Sequence, residues 1–281
     1  KNHGGSERKT AHDADAAYTK GDYQTAYEIW LTLAAKGSYA QYSLGRLYAN
    51  GQGVAQSDRT ARDWWQKSMR DIEQSRVLLS ILLDPSDPQY TYATLHEKWQ
   101  PAAAAGDADA QYKLAILYLT GIGVPQNDTK ALIWFEKAAN QNHAAAQYQL
   151  GKIHDRSNRV PCAAAQAIQW WEKASALGNA DAQNILALRY DMGFHLTPHY
   201  PRDECRAIAL REQAAAQGHP EAQTWLAQTY MYDQPHCNLV ANRDKARALL
   251  EQAIANGGEN TRKQAERVLY AVEHNGRYPS P

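Results

Sequence analysis

The stretch Ala146-Gln147-Tyr148-Gln149-Leu150-Gly151 decides the fold, because the chain keeps returning to it. It stands earlier as Ala40-Gln41-Tyr42-Ser43-Leu44-Gly45 and Ala110-Gln111-Tyr112-Lys113-Leu114-Ala115. Looser copies follow at Ala182-Gln183-Asn184-Ile185-Leu186-Ala187 and Ala222-Gln223-Thr224-Trp225-Leu226-Ala227, and a worn one lies at Ser75-Arg76-Val77-Leu78-Leu79-Ser80. Successive copies begin 35, 35, 36, 36 and 40 residues apart. A period in that range marks stacked repeats rather than a single folded core.

A second pattern interleaves with the first: Ala, an apolar–aromatic pair, then Ala. It reads Ala61…Trp64-Trp65, Ala131…Trp134-Phe135…Ala138 and Ala167…Trp170-Trp171…Ala174, with Ala26…Ile29-Trp30, Ala207…Leu210 and Ala246…Leu249-Leu250 as variants. Both patterns place apolar side chains at i, i+3, i+4 and i+7, one face of a helix. Turns fall between them at Asn50-Gly51-Gln52-Gly53-Val54 and Thr120-Gly121-Ile122-Gly123-Val124-Pro125. Units are separated at Ala105-Gly106-Asp107, Leu177-Gly178-Asn179 and Gln217-Gly218-His219-Pro220. Glycine supplies the positive φ needed past a helix end, and Asp58 and Asp128 stand where the second helices need an N-cap. First helices are therefore expected near residues 38, 73, 108, 144, 180 and 220.

The run Gly121 to Ala131 followed by Trp134-Phe135 resembles the Sel1-like repeat, a relative of the tetratricopeptide repeat. The resemblance covers roughly residues 11 to 256. It implies an all-α fold, a right-handed α-solenoid of about six to seven helix-turn-helix repeats with a C-terminal capping helix. Residues 1–10 read as a flexible leader, 11–256 as the solenoid and 257–281 as capping helix and tail. A terminal cap is what a solenoid needs for solubility.

Composition narrows the function. The 281 residues carry 30 basic and 30 acidic side chains, a formal net charge of +0. That balance argues against bulk capture of nucleic acid. No apolar run approaches a membrane span. Tyrosine (17) and tryptophan (8) far outnumber phenylalanine (2), which suits half-buried sites where one end of the ring meets water. The polar opening from Lys1 to Lys9 leaves two readings: a mature lipoprotein whose lipid anchor lay upstream of Lys1, or a trimmed cytosolic protein.

No catalytic signature is present: no Gly-x-Ser-x-Gly elbow, no His-Glu-x-x-His, no phosphate loop. Gly51-Gln52-Gly53 and Gly121-Ile122-Gly123 follow helices rather than strands and read as turns. The chain is therefore expected not to be an enzyme and to need no cofactor. His195, His199, His236, Cys205 and Cys237 form no recognisable zinc pattern. The three cysteines all fall near first-to-second helix turns; of the three possible single disulfides, Cys162–Cys205 is preferred. A disulfide would fit an oxidising compartment.

Departures from the repeat point to where binding should occur. Asp84-Pro85-Ser86-Asp87-Pro88 replaces a glycine turn, and Pro101 should kink or restart its helix. Asp155 to Cys162 is rewritten, Met192 to Asp203 is inserted, and Tyr232 to Val240 is irregular. In the related tetratricopeptide fold the first helices line a groove. Carried over, that groove receives Tyr42, Arg46, Asn50, Tyr112, Tyr148, Lys152, Arg156 and Asp191, flanked by loop residues His195, His199, Tyr232 and His236. The basic members are expected to face solvent more than the tyrosines. The resemblance implies a protein-binding module, monomeric alone. In its sharp form it is a periplasmic immunity protein neutralising a secreted antibacterial effector such as a lipase or phospholipase. The alternative is an envelope scaffold, adaptor or regulatory subunit, and cytoplasmic location is the alternative compartment.

Overall fold

A computed structural model describes residues 10–80, 90–156, 161–192, 202–274 and 276–278, without the side chains of 156 and 161–163. The chain is an all-α repeat protein. Fifteen helices follow one another among the described residues: α1 (Ala11–Thr19), α2 (Tyr23–Leu33), α3 (Ser38–Asn50), α4 (Asp58–Ser68), α5 (Glu73–Ser80), α6 (Leu95–Ala104), α7 (Ala108–Thr120), α8 (Asp128–Ala139), α9 (Ala144–Arg156), α10 (Pro161–Ala176), α11 (Ala180–Met192), α12 (Glu204–Ala216), α13 (Pro220–Thr229), α14 (Arg243–Asn256) and α15 (Glu259–Glu273). The first helices begin where the repeat spacing predicts, and α15 is the expected terminal helix. Two compact units result, residues 1–105 with 113–131 and residues 106–112 with 132–281.

Many helix starts are capped by a side chain, which satisfies some of the four orphan N–H groups there. Asp22, Ser57, Asn127, Asp203 and Asn242 accept from the backbone N–H three residues on at the starts of α2, α4, α8, α12 and α14. The caps of α4 and α8 are thus Ser57 and Asn127, one residue earlier than Asp58 and Asp128. Asp58, freed from capping, accepts from the Tyr92 N–H at 3.2 Å and holds the short 3-10 turn Tyr92–Thr94 against α4. The helix α6 runs through Pro101 and does not restart there.

The repeated Gln has a structural role that its sequence position did not announce. Gln41, Gln147 and Gln223 donate Nε2 to the carbonyls of Ala34, Ala139 and Ala215, at the C-terminal ends of α2, α8 and α12. Each satisfies a helix-end carbonyl that has no partner inside its own helix. The repeated Trp does related work across the pair: Trp65 Nε1 donates to the Tyr42 carbonyl at 3.2 Å and Trp171 Nε1 to the Tyr148 carbonyl at 3.3 Å.

The repeated Gly is explained by the same contact. A Cβ on Gly45 would lie 2.2 Å from Trp65 Nε1, and one on Gly151 would lie 2.2 Å from Trp171 Nε1. At the corresponding sequence positions of another repeat stand Ala115 and Phe135. Opposite Ala187 the aromatic position is taken by Arg211, 3% exposed, ion-paired to Asp191 and stacked over Trp225. The first tryptophan of each pair is only half-buried and carries a lysine three residues on: Lys67 over Trp64, Lys137 over Trp134 and Lys173 over Trp170, at 4.2 to 4.3 Å.

Candidate partner-binding site

In the unit that contains the N-terminal helices, four segments enclose a cavity of about 880 Å³. Helix α1 contributes Asp15 and Tyr18, α2 contributes Tyr23 and Trp30, and α3 contributes Tyr39, Arg46 and Asn50, with Gln52 just after it. The glycine turn after α7, Gly121 to Gln126, closes the fourth side. That turn can approach because its second glycine carries no side chain. A Cβ on Gly123 would sit 2.7 Å from the Tyr92 carbonyl, and its φ of +67° lies in the left-handed region.

Polar contacts fix the lining. Asn50 Nδ2 donates to the Gly121 carbonyl at 2.7 Å, and the Gly123 N–H donates to Asn50 Oδ1 at 2.8 Å. Both ends of one amide therefore hold the turn in place. Arg46 Nη2 donates to the Tyr18 hydroxyl at 3.1 Å, which donates on to Gln52 Oε1 at 3.1 Å. The guanidinium also stacks over the Tyr18 ring at 4.8 Å, a favourable arrangement for a cation on an aromatic face. Tyr39 donates its hydroxyl to Asp15 Oδ1 at 3.0 Å. Burial, and then that hydrogen bond, raise the Tyr39 phenol above its ordinary value.

Two of the residues expected to bind, Arg46 and Asn50, meet in this cavity. Tyr42, Tyr112 and Tyr148, also expected in the groove, are 8%, 8% and 9% exposed. Their rings are largely buried and leave little exposed contact area. Burial pushes the Tyr42 phenol up to about 12 against the opposing pull of Arg46, and Tyr112 stacks on His143 with centroids 4.6 Å apart. Asp191 is committed to the buried Arg211. Lys152 lies over the Tyr148 ring at 5.4 Å. Tyr232 is 55% exposed. The side chain of Arg156, and His195 and His199 entirely, lie outside the described residues. Asp15, Tyr18, Tyr23, Trp30 and Tyr39 line the cavity although the sequence did not single them out: α1 carries no copy of the Ala-Gln-Tyr pattern, and only the Trp30 variant hinted at them.

The disulfide also differs from the expectation. Cys205 bonds Cys237 across 32 residues, with Cα atoms 5.1 Å apart. The preferred Cys162–Cys205 pairing is therefore replaced. The bridge joins the start of α12 to the 3-10 turn Pro235–Cys237, which the irregular turn before α14 brings back onto α12. Next to it, His236 Nε2 lies 2.7 Å from Glu204 Oε2. Cys205, His236 and Cys237 have ligand atoms within 4.8 Å of one another, but sulfurs joined to each other are not thiolates and cannot serve as metal ligands.

Several solved structures share this architecture. A Sel1 repeat protein from Oxalobacter formigenes is 25% identical, with a TM-score of 0.50 over 96% of this chain and 90% of that one. A protective antigen of uropathogenic Escherichia coli displaying an SLR fold is 25% identical with a TM-score of 0.54, over 96% of this chain and 58% of that one. An immunity protein from Pseudomonas aeruginosa matches at 21% identity and a TM-score of 0.32, over 72% of this chain and 81% of that one, a likeness too slight to bear on function. The family model for the Sel1 repeat matches residues 38–69, 108–143, 144–179, 180–219 and 220–258, which start at α3, α7, α9, α11 and α13. With those repeats covering well over half its length, the chain belongs to the Sel1 repeat family.

Proposed function

We propose that this chain is a non-catalytic module that binds and restrains one protein partner, and that it works in the periplasm. The observation that carries the binding role is the cavity of about 880 Å³ beside Arg46, within the range of volumes that ligand sites occupy. Its lining holds four aromatic side chains and Arg46 beside one acid, Asp15, and aromatics and arginine are the residue types enriched among binding hot spots. The Cys205–Cys237 bridge supports an oxidising compartment, since such bonds persist outside the reducing cytosol. In the region described, no helix is long and apolar enough to cross a membrane.

The narrower form of the reading is an immunity protein that neutralises a secreted antibacterial effector, such as a lipase or phospholipase. Affinity capture of the full-length protein from its own cells tests the module. A stoichiometric protein partner in the periplasmic fraction is expected; its absence there counts against the reading. Expressing that partner alone in the periplasm then tests the narrower form. Growth arrest relieved by co-expression of this chain supports immunity, whereas a harmless partner makes the chain a scaffold or adaptor.

A further inference from the structure

We infer that the Arg46 cavity is a receptor for a carboxylate, supplied by an acidic side chain on an exposed loop of the protein partner. The inference rests on the partner-binding reading and names the chemistry of its contact. Arg46 offers five N–H donors in a planar fork. Among the described residues it makes one hydrogen bond, to the Tyr18 hydroxyl, and no ion pair. Its Nε is buried without a partner, and so is Nε1 of Trp30, another lining residue. Trp30 occupies the place of Trp65 and Trp171 in the second-helix pattern, yet those two donate to a tyrosine carbonyl and Trp30 does not.

Buried donors are paired in nearly all native structures, so two orphans around one cavity point to an absent acceptor. A carboxylate fits best, because a guanidinium binds it through two parallel hydrogen bonds. The acid already in the cavity is turned to another partner: Asp15 accepts from Tyr39 through Oδ1, and among the described residues no ion pair joins it to Arg46. The cavity is large enough for more than one residue, and its rim of Tyr18, Tyr23 and Tyr39 suits apolar neighbours of the acid.

Isotope-labelled full chain titrated with capped pentapeptides Ac-Gly-Tyr-Glu-Tyr-Gly-amide and Ac-Gly-Tyr-Gln-Tyr-Gly-amide tests this directly. The Glu peptide should bind about tenfold or more tightly than the Gln peptide, and it should shift the Trp30 indole N–H resonance. Arg46→Gln should abolish the difference while leaving the helical circular dichroism unchanged, and Arg46→Lys should keep part of it. Equal binding of the two peptides, no binding of either, or discrimination that survives Arg46→Gln would overturn the inference. Tighter binding of Ac-Gly-Tyr-Gln-Tyr-Gly with a free C-terminus than of the Glu peptide would overturn the side-chain source. The two readings fail separately. A captured partner with no peptide discrimination leaves the module standing, and discrimination with no captured partner leaves the carboxylate site standing.

Discussion

Gly151 and Trp171 show how one atom decides a contact. The tryptophan ring lies over the glycine so closely that an added methyl group would overlap Nε1 at 2.2 Å. Gly151→Ala should lower stability by about 1–3 kcal/mol, the usual cost of overpacking a filled core. The same change in a Trp171→Phe background should cost less, because the smaller phenylalanine ring lacks the Nε1 atom that the added methyl group would meet. A double-mutant cycle by chemical denaturation measures the coupling, and additive effects would refute the steric explanation. The pairing of glycine with tryptophan and alanine with phenylalanine was present in the sequence. It was not legible there, because the two residues sit 20 positions apart on different helices.

At the scale of elements, helix order and turn positions were legible because the repeat spacing and the glycine turns carry them. The disulfide was not. Cys162 and Cys205 both fall near the starts of second helices in neighbouring repeats, and that placement favoured their pairing. The irregular Tyr232 to Val240 segment decides the outcome by folding back onto α12 through the 3-10 turn and the backbone pair Gln234–Leu239. For a loop closed by residues 32 apart, chain entropy assigns about 3–4 kcal/mol to the bridge. Replacing both Cys205 and Cys237 by serine should therefore speed hydrogen exchange in the turn before α14 and at the start of α12. The amides of α1 to α4 should be unaffected, since repeats feel mainly their neighbours. Uniform acceleration along the chain would contradict that local picture.

For the whole molecule, buried phenols set an alkaline limit. Burial raises Tyr42 to about 12, and the hydrogen bond between the Tyr48 and Tyr27 hydroxyls raises Tyr48 to about 12; Tyr92 and Tyr230 are also raised, chiefly by burial. Between pH 10 and 12 the unfolded chain has lost these protons and the folded chain keeps them, so stability present below pH 10 drains away as pH rises. Thermal unfolding should shift to lower temperature from pH 9.5 to 11.5, and absorbance at 295 nm should show phenolate appearing with unfolding rather than before it. An unchanged melting temperature across that window would remove the buried tyrosines as the cause. The aromatic-rich composition hinted at such sites, but only the burial of Tyr42 on α3 and the packing of Tyr92 against Trp65 reveal which phenols are shielded. The placement of the cavity carries a last consequence. Its first wall is α1 and α2, residues that stand outside the matched repeats. Residues bound to a repeat pattern must serve the neighbouring repeat, whereas α1 carries no copy of the Ala-Gln-Tyr pattern and α2 carries only the Ala26…Ile29-Trp30 variant of the second. Under the proposed binding role, new partner preferences can therefore arise by substitution at Asp15 on α1 with the matched repeats left unchanged.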